Sequence, residues 1–257
     1  MRRWIVQGLL PALAPVLVLV GVIAWGQYSR DRLRTQDRYR LPFATIDCPS
    51  PPSLSRDDFL NEVQYQSSLP DRVDLLDGDT PERLRQAFAR HPWVERVDRV
   101  EILPEGGVRV DLVYRAPVLL VSGKSPTTFL TVDRNGVRLP SGKLPERLPR
   151  WSGPAAKPPQ VPGTAWGDAR IESAARLAEL LLPHLDRLCP SSGAHLTLQV
   201  KDQALVVSGG AVGQAIWGHA PGQEAPGEPS AAMKLRRLLE RAGAAPAPID
   251  LRTVKSP

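Results

Sequence analysis

Apolar and polar positions follow different patterns in successive stretches of the chain. From Trp4 to Ser29 no side chain is charged, and Ile5–Trp25 is apolar except for Gln7. A helix of that length spans about 31 Å, the thickness of a bilayer core. Trp4 and Trp25 mark its two ends and Tyr28 follows, as interfacial aromatics do. Pro11 and Pro15 are tolerated better in a membrane helix than in a soluble one. The pattern predicts an uncleaved transmembrane helix over residues 4–28. A cleaved signal peptide is the rival, with Arg2 and Arg3 as its basic start and Val22 and Ala24 before the cut. Against it, the apolar stretch exceeds the usual signal core and bulky Trp25 follows at once.

Helix and strand periods then alternate. Tyr39–Ile46 has strand spacing, and Cys48–Ser53 is a proline-rich turn. Ser55 is placed to cap a helix, with Asp57 and Asp58 in its first turn and Phe59, Leu60 and Val63 on one face. Val73–Leu76 is a short apolar stretch. Asp79 or Thr80 is expected to cap a second helix, which has Pro81 near its start, carries Leu84, Ala87 and Phe88, and ends at Pro92. Two strands follow: Val94–Leu103, whose phase slips midway and suggests a bulge, and the alternating Val108–Tyr114. The order strand, helix, helix, strand, strand makes an α+β module.

The remainder reads as mostly β. Phe129–Val132 and Val137–Leu139 flank Asp133-Arg134-Asn135-Gly136, and Asn-Gly is a strong hairpin signal. Trp151–Trp166 is proline-rich and reads as irregular. Ile171, Ala174, Ala175, Ala178, Leu181, Leu182 and Leu185 form the apolar face of a helix. His195–Val200 and Ala204–Ser208 are strands, and Ala215–Trp217 follows a glycine-rich turn. Pro221–Pro229 has the composition of a mobile loop. Ser230 can cap a last helix bearing Met233, Leu235, Leu238 and Leu239, and Ile249–Val254 reads as a terminal strand.

Composition places the chain among folded proteins, with 42% hydrophobic and 23% charged residues. A formal net charge of +6 would ordinarily raise nucleic-acid binding, but its location argues otherwise. Seven arginines and two aspartates lie in the first forty residues, beside the apolar run, so the rest of the chain is nearly neutral. The excess reads as membrane electrostatics, with residues 29–40 forming a basic stalk that lies against anionic lipid headgroups. The positive-inside count alone favours the bulk of the chain in the cytoplasm and leaves orientation open.

No catalytic constellation is evident. Gly123-Lys124-Ser125 follows a strand, but Val118 stands where a phosphate-binding loop needs glycine. No Ser-x-x-Lys pattern supports a Ser–Lys hydrolase. Asp71, Asp74, Asp77 and Asp79 fail the calcium-loop pattern and read as turn and capping residues. His91 precedes Pro92 at a helix end, where the last carbonyls account for it. Cys48 and Cys189 are too few for a zinc or iron–sulfur site; they form either one disulfide or two buried thiols. No enzyme activity, cofactor, metal, nucleic acid or small-molecule substrate is expected.

Several landmarks in order resemble the FtsQ/DivIB cell-division proteins. His91-Pro92-Trp93-Val94 after an amphipathic helix, then Tyr114-Arg115-Ala116-Pro117-Val118 after a hairpin, are similar to that family's signature. Leu130–Val137 looks like its Val-Asp-x-x-Gly hairpin, and Lys234–Leu239 with Ile249-Asp250-Leu251-Arg252 looks like its last helix and following strand. The resemblance implies an α+β protein with a tail at residues 1–3, the anchor at 4–28, the stalk at 29–40, a POTRA-like β-α-α-β-β module at 41–116 and a β domain with flanking helices at 117–257. Pro92, Trp93, Val94, Arg115 and Pro117 would be the POTRA signature.

It further implies a single-pass inner-membrane protein with a cytoplasmic N-terminus, its bulk outside the cytoplasm, at the division septum. Such a protein is a non-enzymatic scaffold for FtsB/FtsL-like proteins and septal wall synthases. Ile249, Asp250, Leu251, Arg252, Thr253 and Val254 would form the edge to which a partner strand adds, with Arg252 facing a partner carboxylate. The chain departs from the family in its short tail, in apparent insertions at Pro154–Pro162 and Pro221–Pro229, and in ending five residues after Arg252. The alternative reading is a POTRA-type adaptor or chaperone of a secretion or outer-membrane assembly system.

Overall fold

A computed structural model describes residues 18–26, 39–123, 128–142, 147–191, 193–243 and 248–253. Residues 18–26 are helical and leave Val18, Leu19, Val20, Val22, Ile23 and Trp25 exposed. Trp4, Tyr28 and the rest of the expected anchor and stalk lie outside the described residues, apart from Tyr39 and Arg40. Among the described residues no helix is long and apolar enough to cross a membrane. The fold is mixed α+β and divides into two compact units, Met1–Val113 and Tyr114–Pro257. Tyr114, Arg115 and Ala116 therefore belong with the second unit.

In the first unit, strand β1 (Arg40–Pro42) pairs antiparallel with β2 (Arg72–Asp74), a strand where the sequence shows only a short apolar stretch. Between them lies helix α1 (Arg56–Ser67). The Ser55 hydroxyl accepts the Asp58 N–H at 3.1 Å and donates to the Asp58 carboxylate at 2.6 Å, a reciprocal cap. Helix α2 (Thr80–Ala89) starts differently from expectation, because neither Asp79 nor Thr80 caps it through its side chain. The Asp77 carboxylate instead accepts the Asp79 N–H at 3.1 Å, and the Thr80 hydroxyl donates to the Asp74 carbonyl at 2.6 Å.

Strands β3 (Val94–Ile102) and β4 (Val108–Tyr114) pair with each other. Asp47 bridges parallel to Arg109, its N–H donating to the Val108 carbonyl at 2.9 Å. Phe59 and Phe88 pack at 5.8 Å between α1 and α2, and Phe43 stacks on Phe88. His91 is buried within this core rather than turned to the helix carbonyls. Its ring stands edge-on to Phe59 at 4.7 Å and its Nε2 lies 3.0 Å from Glu62. Burial lowers its pKa below the ordinary 6.5, and the Glu62 carboxylate only partly offsets this. Trp93 and Val94 are buried and Pro92 half-buried, so the signature's visible role here is packing.

The second unit is a seven-stranded sheet covered by helices. Its strands are β5 (Leu119–Ser122), β6 (Phe129–Val132), β7 (Arg150–Trp151), β8 (Thr197–Lys201), β9 (Ala204–Gly209), β10 (Gly213–Gly218) and β11 (Ile249–Asp250), in the order β11-β10-β9-β8-β7-β5-β6. Pairing is parallel at β10–β11, β5–β7 and β7–β8, and antiparallel elsewhere. Ile171, Ala174, Leu177, Ala178 and Leu181 of helix α3 (Ala169–Leu181) join Trp151, Trp166, Leu198, Val207 and Trp217 in one core. Asp168 caps α3 and forks with the Arg170 guanidinium, which with two backbone N–H groups outweighs burial and holds its carboxyl at about 2. Of the stretch expected to be irregular, Trp151 lies in β7 and Ala165 bridges Val137, residues 152–164 have no helix or strand, and the Trp166 indole is tied to the Ala156 carbonyl at 3.0 Å.

At the expected hairpin the Asp133 N–H donates to the Val137 carbonyl at 3.0 Å, and Gly136 takes the left-handed conformation at φ 70°. The Asp133 side chain is buried. It accepts N–H groups from Asn135 and Val137, each at 2.9 Å, and Arg115 Nη1 at 2.6 Å. Two sequence landmarks read separately thus meet in one ion pair. Cys48 and Cys189 are both free and buried, one in each unit. Burial pushes the Cys48 thiol up to about 11.

Candidate partner-binding edge

The end of the large sheet is built by three neighbouring segments: β10, the loop that follows it, and helix α4 (Ala231–Arg241) with β11. Ser230 caps α4, its hydroxyl accepting the Met233 N–H at 3.4 Å. Apolar Ala231, Leu235, Leu238, Leu239 and Ala242 turn toward the core, and Lys234 lies on the same stripe. Lys234 is fully buried. Its Nζ donates to Glu228 Oε1 at 2.6 Å and stands 5.3 Å from the centre of the Trp217 ring.

Glu228 is the hub of this region. Besides Lys234 it accepts the His219 N–H at 3.1 Å, the Ala225 N–H at 3.0 Å and the His219 ring at 2.8 Å. Burial alone would raise its carboxyl pKa. The Lys234 ammonium and these N–H groups prevail and bring it down to about 2. The loop expected to be mobile is therefore pinned at its C-terminal end by a buried charge pair. Gly218 is required beneath it, since a Cβ there would collide with Glu228 and the Arg252 stem, and its φ of 93° suits only glycine.

β11 is the outermost strand, and the Leu251 N–H donates to the Ile216 carbonyl at 2.9 Å. The predicted edge residues do not share one environment. Leu251 is fully buried in the core, so its side chain is not available to a partner. Ile249 and Asp250 are half-buried, Arg252 and Thr253 exposed, and Val254 lies outside the described residues. Arg252 is not simply solvated: its Nη2 and Nε bind the Asp250 carboxylate at 2.7 and 3.0 Å. A groove of about 660 Å³ runs along the strand, lined by Arg237, Glu240 and Arg241 of α4 together with Ile249, Asp250 and Thr253.

The sequence conceals Lys234 and Glu228. One sits in a run of charged helix residues and the other in a Gly/Pro loop, and the available signal was that Lys234 falls four residues before Leu238 on the apolar face. Among the described residues no cluster of His, Cys, Asp and Glu is arranged to hold a metal ion. Lys124 and Ser125 of the glycine–lysine–serine turn lie outside the described residues. No known family model matches the chain, and no curated protein matches it by sequence.

Proposed function

We propose that this chain is a membrane-anchored, non-enzymatic scaffold of the FtsQ/DivIB type. It binds FtsB/FtsL-like single-pass division proteins through the β11 edge and helps regulate septal peptidoglycan synthesis. The observation that carries the reading is β11 itself, a two-residue strand at the margin of the large sheet with Arg252 two residues beyond its end. Such an edge offers backbone groups to an added strand and a guanidinium to a carboxylate. The strand, two helices and final β3–β4 pair of the first unit support a POTRA-type module, to which β2 is an addition between the helices, and the exposed apolar helix of residues 18–26 supports an anchor in lipid. On this reading the N-terminus is cytoplasmic and both units lie outside the cytoplasm.

The test is a pull-down of the full-length tagged protein from gently solubilised membranes, with mass spectrometry of what co-purifies. Short single-pass coiled-coil proteins and septal wall synthases are expected. Recovery of outer-membrane or exported clients instead would move the function to a secretion or assembly chaperone. A reporter fused after Pro257 should be active outside the cytoplasm; activity only in the cytoplasm would reverse the orientation. Arg252→Glu should reduce capture about tenfold or more, since it sets a like charge against a partner carboxylate, with thermal unfolding lowered only slightly by loss of the exposed Asp250 pair. Undiminished capture would remove Arg252 from the interface.

A further inference from the structure

The turn that joins α2 to β3 is closed by one histidine side chain. His91 Nδ1 accepts the Trp93 N–H at 3.4 Å, so that nitrogen carries no proton. The ring's proton is therefore on Nε2, which donates to the Glu62 carboxylate of α1 at 3.0 Å. Backbone bonds at the same point run from the His91 N–H to the Phe88 carbonyl and from the Val94 N–H to the His91 carbonyl. With its side chain only 1% exposed and its ring edge-on to Phe59, the imidazole ties α1, the end of α2 and the start of β3 together. Both of its nitrogens are in use.

We infer that His91 is an acid-operated latch of the first unit: neutral, it fastens α1 to the α2–β3 turn, and a second proton on its ring releases both. That proton can go only to Nδ1, where it sets one N–H against the N–H of Trp93 and places a charge beside the Phe59–Phe88 core. The charged group facing the ring is Glu62 from α1, which favours the protonated form but is 48% exposed and screened by solvent. Arg85 of α2 is engaged with Glu82 and the Val97 carbonyl. Arg90, before the turn, is exposed and Glu95 of β3 half-buried, and neither figures beside burial and Glu62 in the ring's electrostatics. Because burial holds the imidazole below its ordinary 6.5, the latch is fully closed above that pH and is lost progressively as pH falls below it. His91 is the only histidine between Met1 and Val113, so no second imidazole titrates in this unit. The latch works independently of the partner edge, and a unit outside the cytoplasm meets the acidity of its surroundings directly.

The test is hydrogen–deuterium exchange of the full-length protein in detergent micelles at pH 7.5 and 5.5, read by mass spectrometry over residues 56–67 and 88–97. Once the chemical rate's own pH dependence is divided out, opening of both segments should rise about fivefold at the lower pH. An imidazole that becomes ordinary on release limits the rise to about tenfold over this interval. His91→Asn offers an amide oxygen near the position of Nδ1 to the Trp93 N–H but takes up no proton, so its ratio between the two pH values should fall to about one. Glu62→Gln still accepts from Nε2 and removes the charge that favours a protonated ring, so its ratio should climb toward the ceiling. Nitrogen NMR of the histidine rings at pH 7.5 should show His91 protonated on Nε2 alone.

A wild-type ratio of one, a His91→Asn ratio equal to wild type, or a Glu62→Gln ratio below wild type would overturn the latch, as would a proton on Nδ1 at pH 7.5. A histidine that merely packs would lower protection in the variants alike at both pH values and leave the ratio unmoved. Should His91→Asn fail to fold, wild type and Glu62→Gln still decide between the two roles. The pull-down is untouched by any of these outcomes, so the latch and the scaffold reading stand or fall separately.

Discussion

Replacing Lys234 with methionine is expected to destabilise the second unit by about 3–5 kcal/mol at neutral pH. Methionine fills most of the lysine stem's volume, so the loss comes from stranding the Glu228 carboxylate, whose side chain is only 5% exposed. Lys234→Met/Glu228→Gln removes both charges and should recover part of the loss, because the one amide oxygen can still accept one of the N–H groups of His219 and Ala225, which reach different carboxylate oxygens. Urea unfolding followed by the fluorescence of Trp217, which lies beneath the Lys234 ammonium, reads the effect at its source. A single variant within 1 kcal/mol of wild type, or a double variant no better than the single, would mean that the pair does not hold the fold.

The same pair sets an acid limit whose sign can be checked. The Glu228 carboxyl is depressed from 4.5 to about 2 in the folded chain, so its stabilisation is complete above pH 4.5 and is lost as pH falls toward 2. The amount at stake is on the order of 3 kcal/mol. Asp168, likewise held at about 2 chiefly by Arg170, titrates in the same window. In Lys234→Met the largest favourable contribution to the ionised Glu228 is gone, so protonation relieves the stranded charge. The destabilisation caused by this substitution should therefore shrink as pH falls from 7 toward 4. A deficit that stayed constant over that range would assign it to lost packing rather than to charge.

Local signals foretold local structure. Ser55 followed by two aspartates gives a capped helix because the cap oxygen and the N–H it accepts are three residues apart, and Asn135-Gly136 gives a turn because Gly136 alone can adopt the required φ. Short strands were harder to read. Two- and three-residue segments such as β7 and β2 are too brief to show a period: β7 is set by the longer β5 and β8 on either side, and β2 pairs only with the equally short β1. Trp151 within β7 is a core residue that opens a proline-rich stretch, where composition points away from a sheet. At the candidate edge, period-two alternation foretells buried Leu251 beside outward Asp250 and Arg252. It does not foretell that those two charges bind each other, since a carboxylate and an arginine two residues apart equally suit separate solvation.

Asp133→Ala should cost about 3–5 kcal/mol and be strongly coupled to Arg115→Ala. Asp133 satisfies two backbone N–H groups of its own turn as well as Arg115, whose side chain is only 16% exposed. Alanine at 133 leaves all three donors without their acceptor, whereas Asp133→Asn retains an acceptor for the turn and should cost about half as much. A double-mutant cycle in urea should return a coupling energy of about 1–3 kcal/mol. Simple additivity would show that the 2.6 Å contact carries no net energy. Coupling would mean that Arg-x-Pro-Val and Asp-x-x-Gly are two halves of one clamp, which would account for both motifs by folding alone. Partner capture measured on folded Asp133→Asn should then equal wild type, in contrast to Arg252→Glu, and that contrast separates residues that hold the sheet from those that meet a partner at its edge.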